Sequence, residues 1–231
     1  MPEISHRLQQ VYKEISLYEQ EFDRPRGSVQ LLAVSKTRPA EDLLLAWEQG
    51  QRMFGESYLQ EALDKIATLA SKAIEWHFIG PIQSNKTRAI AEQFDWVHSI
   101  DRLKIAQRLS QQRPADKAPL QVLIQVNSSE EDSKSGCRFD ELETMARSVS
   151  QLPALKLRGL MTIPVACEHF EQQRLPFRQL RRAMDALNQL GYDMDTLSMG
   201  MSNDLRAAIA EGATMVRIGT ALFGRRNDSN S

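Results

Sequence analysis

The sequence predicts a closed parallel α/β barrel of eight βα units, a TIM barrel, led by one extra helix. Three observations carry that expectation. Eight short runs rich in apolar and β-branched residues recur along the chain, a helix-compatible stretch lies between each pair, and strand starts from residue 30 to residue 215 fall about 26 residues apart. Alternating β and α signals alone also suit a doubly wound open sheet. Eight units with no ninth strand favour closure.

The elements follow in order. Ile4, Leu8, Val11, Ile15, Tyr18 and Phe22 recur at steps of four and three, the stripe of an amphipathic helix, which Asp23-Arg24-Pro25-Arg26-Gly27 brings to a stop. The strand candidates are Val29–Val34, Arg52–Phe54, Glu75–Ile79, Asp95–His98, Leu120–Val126, Lys156–Leu160, Thr196–Ser198 and Met215–Ile218. Between them helices are expected at Ala40–Gln49, Glu56–Ser71, Asn85–Gln93, Arg102–Gln112, Phe139–Gln151, Glu168–Leu190 and Asp204–Glu211. Several of these are entered through Ser, Asn or Asp, which predicts side-chain N-caps. No Pro-, Gly- or Ser-rich linker divides the chain. One domain over residues 1–231 is therefore expected, with a leading helix at about 3–22, the barrel at about 29–224 and a polar tail at 227–231.

Composition narrows the function classes. The 231 residues carry 29 Lys+Arg against 30 Asp+Glu, a net charge of −1, which argues against a nucleic-acid or membrane-surface binder. The two cysteines, Cys137 and Cys167, lie in no metal-binding spacing and form no disulfide framework, as in a reducing compartment. No apolar run approaches the roughly 18 residues of a membrane span. The N-terminus is interrupted by charges, unlike a signal peptide. A cytoplasmic setting is expected, without metal.

In such a barrel the chemistry sits at the C-terminal ends of the strands, and an anion site is often built by the loops after strands seven and eight. Strand one ends in Ala33-Val34-Ser35-Lys36-Thr37, which places Lys36 at the rim beside Arg38. Desolvation and a neighbouring cation both favour the neutral, nucleophilic amine. On this segment alone, a lysine that simply reaches into water accounts for the pattern equally well. After strand seven comes Ser198-Met199-Gly200-Met201-Ser202-Asn203-Asp204, and after strand eight Gly219-Thr220. Each loop joins glycine, which admits a ligand close to backbone N–H groups, to a hydroxyl that can donate to phosphate oxygens. Arg217 sits in the apolar run Met215-Val216-Arg217-Ile218 and needs a partner, either a buried carboxylate or a heteroaromatic nitrogen. A nucleophilic lysine, a phosphate cup and an arginine facing a ring nitrogen are the three handles of pyridoxal 5′-phosphate (PLP).

The stretches LLAVSKT, FGESYLQE, WHFIGPIQSNK, LIQVNSSEEDSKSG, LRGLMTIP and LSMGMSNDLRAAIAEGATMVRIGTALFG, in order from about Leu31 to Gly224, resemble the YggS/PROSC family of pyridoxal phosphate homeostasis proteins. The resemblance implies a fold-type III PLP barrel similar to the N-terminal domain of alanine racemase, with PLP held as a Schiff base on Lys36. It also implies that Ser202, Gly219 and Thr220 hold the phosphate and that Arg217 faces the pyridine nitrogen. One departure is visible: the family reads FGEN where this chain has Phe54-Gly55-Glu56-Ser57.

An arginine opposite the ring nitrogen keeps it unprotonated and weakens the electron sink that PLP enzymes exploit. Racemisation also needs a second acid/base, which alanine racemases draw from a tyrosine on a separate domain. Tyr12, Tyr18 and Tyr58 fall in expected helices and Tyr192 before strand seven, so none is an obvious substitute. The expected role is a monomeric, essentially non-catalytic PLP carrier or buffer that passes the cofactor to apoenzymes. The alternatives are a small fold-type III amino-acid racemase with a base drawn from His77, Cys167 or water, and more remotely a class I aldolase using Lys36. Met161, Met199 and Met201 are expected to wall the ring or fill core. Ser133–Gly136 suits a secondary anion site or a solvated loop, and Arg225-Arg226 suits local positive potential or a charged helix end.

Overall fold

A computed structural model describes residues 2–128 and 135–224. Helix α1 (Pro2–Glu21) leads to β1 (Gln30–Val34), α2 (Ala40–Glu48), β2 (Met53–Glu56), α3 (Leu59–Thr68), β3 (Glu75–Phe78) and α4 (Thr87–Gln93). There follow β4 (Trp96–Ile100), α5 (Leu103–Gln112), β5 (Leu120–Gln125), α6 (Leu142–Ser150), β6 (Leu155–Met161), α7 (Phe170–Gln189), β7 (Thr196–Ser198), α8 (Leu205–Ala210), β8 (Met215–Ile218) and α9 (Thr220–Phe223). The eight strands form a closed parallel barrel in sequence order. β8 pairs with β1, setting Arg217 beside Leu32 and Ile218 beside Ala33. Closure leaves no unpaired strand edge.

Successive side chains of a strand point to opposite faces of the sheet. The outward set, among them Leu31, Phe54, Phe78, Val97, Leu197 and Val216, joins helix residues such as Leu43, Leu109 and Phe177 in one continuous core. The inward set holds a separate small apolar cluster, Trp96, Leu123 and Met161. Helix α1 buries Ile4, Leu8, Val11 and Ile15 against α2, α8 and α9. Each such side chain contributes on the order of 1.5–3 kcal/mol, an upper bound because the unfolded chain already hides some apolar surface. Where β6 meets β7 the strands come too close for a side chain: a Cβ on Gly159 would lie 1.8 Å from the Thr196 carbonyl oxygen.

Several boundaries differ from the sequence expectation. Glu56 ends β2 rather than opening a helix, because its carboxylate is buried against Ser35 and Lys65; α3 starts at Leu59. The 3-10 turns Ser84–Lys86 and Phe139–Glu141 precede α4 and α6. The expected capping side chains do not act: among the described residues, α2 to α9 are entered through Pro39, Tyr58, Lys86, Arg102, Glu141, His169, Asp204 and Gly219, with no side-chain cap bond. Asp204 instead turns back to accept the Met201 N–H at 2.6 Å, closing the loop after β7. Thr220, read as part of a glycine loop, opens the short helix α9. Among the described residues no helix is long and apolar enough to cross a membrane.

Candidate functional site

The exits of β7, β8 and β1 adjoin at the C-terminal end of the barrel. The Arg217 N–H donates to the Gly200 carbonyl at 2.9 Å, tying β8 to the loop after β7. A Cβ on Gly219 would lie 3.1 Å from the Val34 carbonyl oxygen, so the exit of β8 runs against the end of β1. Gly200, at φ +97°, lies on α8, where a Cβ would come within 2.5 Å of the Ala208 Cβ; only glycine fits. Lys36, Gly219 and Thr220 thus stand on adjacent exits, and Ser202 on the next. Lys36 is half-buried, while Ser202 and Thr220 are exposed. Arg38, expected beside Lys36, donates to the Gly224 carbonyl and clamps the β1 loop to the end of α9.

The backbone on both sides of Lys36 is pinned by a charge cluster. The Ser35 hydroxyl donates to Glu56 Oε1 at 2.6 Å, and the Lys65 ammonium donates to the Ser35 carbonyl and to Glu56 Oε1, both at 2.8 Å. Lys65 also pairs with Glu61, whose carboxylate accepts the Thr37 N–H at 2.6 Å. Thr37 has φ +64°, a conformation that a β-branched residue rarely adopts and that costs about 1–3 kcal/mol. The cluster holds that strain in place. Burial raises the Glu56 pKa, opposed by Lys65, and Glu56 Oε2 is buried without a hydrogen-bond partner. Sequence reasoning missed Glu56, Glu61 and Lys65. The available signal was the helical i,i+4 spacing of Glu61 and Lys65 behind the lysine loop.

Arg217 is 4% exposed. Its Nη1 donates to Ser198 Oγ at 2.8 Å and its Nη2 to the Thr162 carbonyl at 2.9 Å. Thr162 is held in turn, its hydroxyl donating to the Val126 carbonyl and meeting Ser128 Oγ at 2.7 Å. A guanidinium has five N–H donors, and among the described residues two of them are committed in these bonds. Among the described residues no carboxylate lies within ion-pair distance of Arg217, although Asp204 acts on it from further away. Burial pushes its pKa down to about 10, and Asp204 opposes that shift; at neutral pH the guanidinium stays charged. Of the two partners the sequence left open, a carboxylate is thus not the one in contact.

The other sequence candidates fall in varied places. His77 is fully buried inside the barrel, bonded to His98 at 2.9 Å and to Glu75 at 2.9 Å, and so is a satisfied interior histidine. Cys167 is half-buried, its thiol against Gln172 at 2.9 Å. Tyr58 is not inside a helix; it precedes α3 on the functional side and is 51% exposed. Met161 lies within the barrel, Met199 belongs to the outer core and cannot wall a ligand at the mouth, and Met201 is exposed. Ser133 and Lys134, Arg225 and Arg226, and the tail 227–231 lie outside the described residues.

Comparisons with known proteins bear on the fold and the family. The family model described as "Alanine racemase, N-terminal domain" matches residues 7–227. The pyridoxal phosphate homeostasis protein of Pseudomonas aeruginosa is 57% identical over 98% of this chain and 97% of its own length. That of Vibrio cholerae is 53% identical over 100% of both chains. Among solved structures, PipY of Synechococcus elongatus PCC7942, determined with PLP bound, superposes with a TM-score of 0.82 at 36% identity, over 96% of this chain and 100% of that one. Alanine racemase from Corynebacterium glutamicum, at 20% identity and a TM-score of 0.72, shares the fold over 63% of its length and 100% of this chain. Matched along nearly its whole length by proteins more than half identical to it, the chain belongs to the pyridoxal phosphate homeostasis family, on the barrel of the alanine racemase N-terminal domain.

Proposed function

We propose that this protein binds PLP at the C-terminal mouth of the barrel and acts in PLP homeostasis, storing or delivering the cofactor without significant turnover. The observation that carries the reading is Arg217: a buried, charged guanidinium that, among the described residues, has no carboxylate in contact and bonds through two of its five N–H donors, on the strand paired with the one that leads to Lys36. A heteroaromatic nitrogen suits it. PLP supplies an aldehyde that condenses reversibly with an amine. The residues fit that group. Lys36 would hold the aldehyde carbon, on a backbone fixed by Ser35, Thr37 and the Glu56–Lys65–Glu61 cluster. The hydroxyls of Ser202 and Thr220 and the backbone at Gly219 would hold the phosphate, and Arg217 the ring nitrogen.

The same arginine argues against broad catalysis, because a guanidinium donates to the ring nitrogen without protonating it. The relatives' name, which is that of homeostasis proteins, supports the reading over a racemase. Apo PLP-dependent enzymes are the proposed recipients. A monomer in the cytoplasm completes the picture, and the two free cysteines suit such a reducing compartment. Borohydride treatment of the PLP-loaded protein followed by peptide mass mapping is expected to mark Lys36, and Lys36→Ala to lose the visible absorbance band. A label elsewhere, or none, overturns the assignment. Deuterium exchange at the Cα of alanine faster than that given by free PLP would overturn the non-catalytic part.

A further inference from the structure

A chain of buried polar side chains crosses the inside of the barrel and ends at Arg217. Ser198 Oγ, which accepts from Arg217 Nη1, lies 2.9 Å from His98 Nδ1; His98 Nε2 lies 2.9 Å from His77 Nδ1; His77 Nε2 lies 2.9 Å from Glu75 Oε1. The middle members are sealed, with Ser198, His98 and His77 at 0% exposure. Glu75, the first residue of β3 at the opposite end of the barrel, is open to solvent, its side chain 43% exposed.

The two ends decide which way every proton points. Arginine can only donate, so Ser198 Oγ accepts from it. The one hydroxyl proton of Ser198 has only His98 Nδ1 to go to among the described residues, since a buried unmatched donor is costly. His98, neutral, then carries its proton on Nε2 and gives it to His77 Nδ1. His77 in turn carries Nε2–H and gives it to the Glu75 carboxylate, which can only accept. The reverse order would set a bare His77 lone pair against the carboxylate. Neutral rings are what the surroundings impose. Burial lowers the His77 pKa against the pull of Glu75 and Asp95, and lowers that of His98 well below the ordinary value, helped by His77 and Arg217. Glu75 is kept ionised chiefly by its bond to His77, with Trp96 and Arg158 adding to the effect. Trp96 stacks on His77 at 5.3 Å and holds the ring plane.

We propose that Glu75 is the terminal acceptor of a one-directional hydrogen-bond relay that runs from Arg217 through Ser198, His98 and His77, so that a solvent-facing carboxylate on the barrel floor orients the guanidinium at the mouth. Glu75, His77, His98 and Ser198 are positioning residues. The consequence for PLP rests on the binding reading above; the relay itself does not.

The test has two arms. In the first, 15N side-chain NMR on the ligand-free wild type at pH 7.5 is expected to show both His77 and His98 as neutral Nε2–H tautomers. An Nδ1–H tautomer or an imidazolium at either position overturns the relay. In the second, Glu75→Ala and Glu75→Gln, changes at an exposed site, are compared with wild type for PLP affinity and the pH midpoint of the bound-PLP absorbance. Glu75→Ala, which removes the last acceptor, is expected to weaken PLP about tenfold, roughly the value of one hydrogen bond, and to shift that midpoint. Glu75→Gln, which keeps an acceptor without the charge, should retain the tautomers and most of the affinity but shift the midpoint. Unchanged affinity and midpoint in both variants overturn the coupling. If wild type fails to bind PLP, the binding reading fails while the first arm still decides the relay.

Discussion

On the outward side of the sheet, Leu31, Phe54, Phe78, Val97 and Val216 meet the helices in an uninterrupted apolar layer; on the inward side of the same strands, His77, His98, Ser198 and Arg217 hydrogen-bond across the lumen. The outer layer gains from area removed from water and tolerates any well-packed apolar set of the right volume. The lumen gains little from its polar groups unless every donor meets an acceptor, and it loses heavily if one is missing. In barrels of this kind the interior is ordinarily filled with branched apolar residues. Here a polar chain that ends at one guanidinium shares that space with Trp96, Leu123 and Met161. The contrast teaches that two faces of a four-residue strand such as β3 can answer to different demands, Phe78 to stability and His77 to the site.

Removing one member of a buried charge pair is the strongest way to test the scaffold around the lysine loop. Lys65→Met leaves Glu56 buried and unpaired and is expected to cost about 3–5 kcal/mol in chemical denaturation. The double change Lys65→Met/Glu56→Leu should recover most of that stability while loosening the loop at Thr37, seen as faster amide exchange there. Phe177→Ala in the outer layer should cost a similar 3–5 kcal/mol or so, yet leave PLP affinity per folded molecule unchanged. Ser198→Ala reverses that balance. The loss of stability should be about 1–3 kcal/mol, measured in urea, whereas PLP affinity falls; unchanged affinity would show that the lumen is mere filling.

The pH dependence separates the two regions further. His77 and His98 have folded pKa values below the 6.5 of a free histidine. As pH falls below about 6.5 the unfolded chain takes up protons that the folded chain refuses. Their contribution is therefore fully present above that pH and is lost on acidification towards the folded values, at up to about 1.4 kcal/mol per pH unit for each histidine. Urea midpoints from pH 7.5 to pH 5 measure this slope, and His77→Gln/His98→Gln should flatten it. The smallest effect belongs to neither region: Arg147→Ala breaks the exposed pair with Glu143 and should change stability by no more than about 0.5 kcal/mol.

Much of this was legible beforehand because local patterns carry it. The strand expectations fell within a few residues of β1 to β8, and α1 followed from a stripe of apolar residues at helical spacing. Lys36, Arg217 and the glycine-hydroxyl loops stood out because polar or flexible residues at the end of an apolar run are conspicuous. The boundary at Glu56 was misread because its partner Lys65 lies on the next helix, and helix propensity counts a glutamate as helical. The N-cap expectation failed because it credits a residue type without knowing where its side chain turns, and Asp204 turns back to Met201. His77 was visible on alternation, but its partners were not. His98 and Ser198 are 100 residues apart, and nothing in the local sequence of β4 or β7 records that they face each other.

By itself the sequence determined the order of βα units, the faces that must be buried, the lysine at the end of the first strand and the family to which the chain belongs. These depend on periodicity, on side-chain chemistry and on motifs a few residues long. Only the tertiary structure decided which inward-facing residues meet. Closing eight strands on themselves brings His98 of β4 within reach of Ser198 of β7 and seats β8 beside β1. Along that buried chain an arginine that can only donate and a carboxylate that can only accept fix the direction of every hydrogen bond between them.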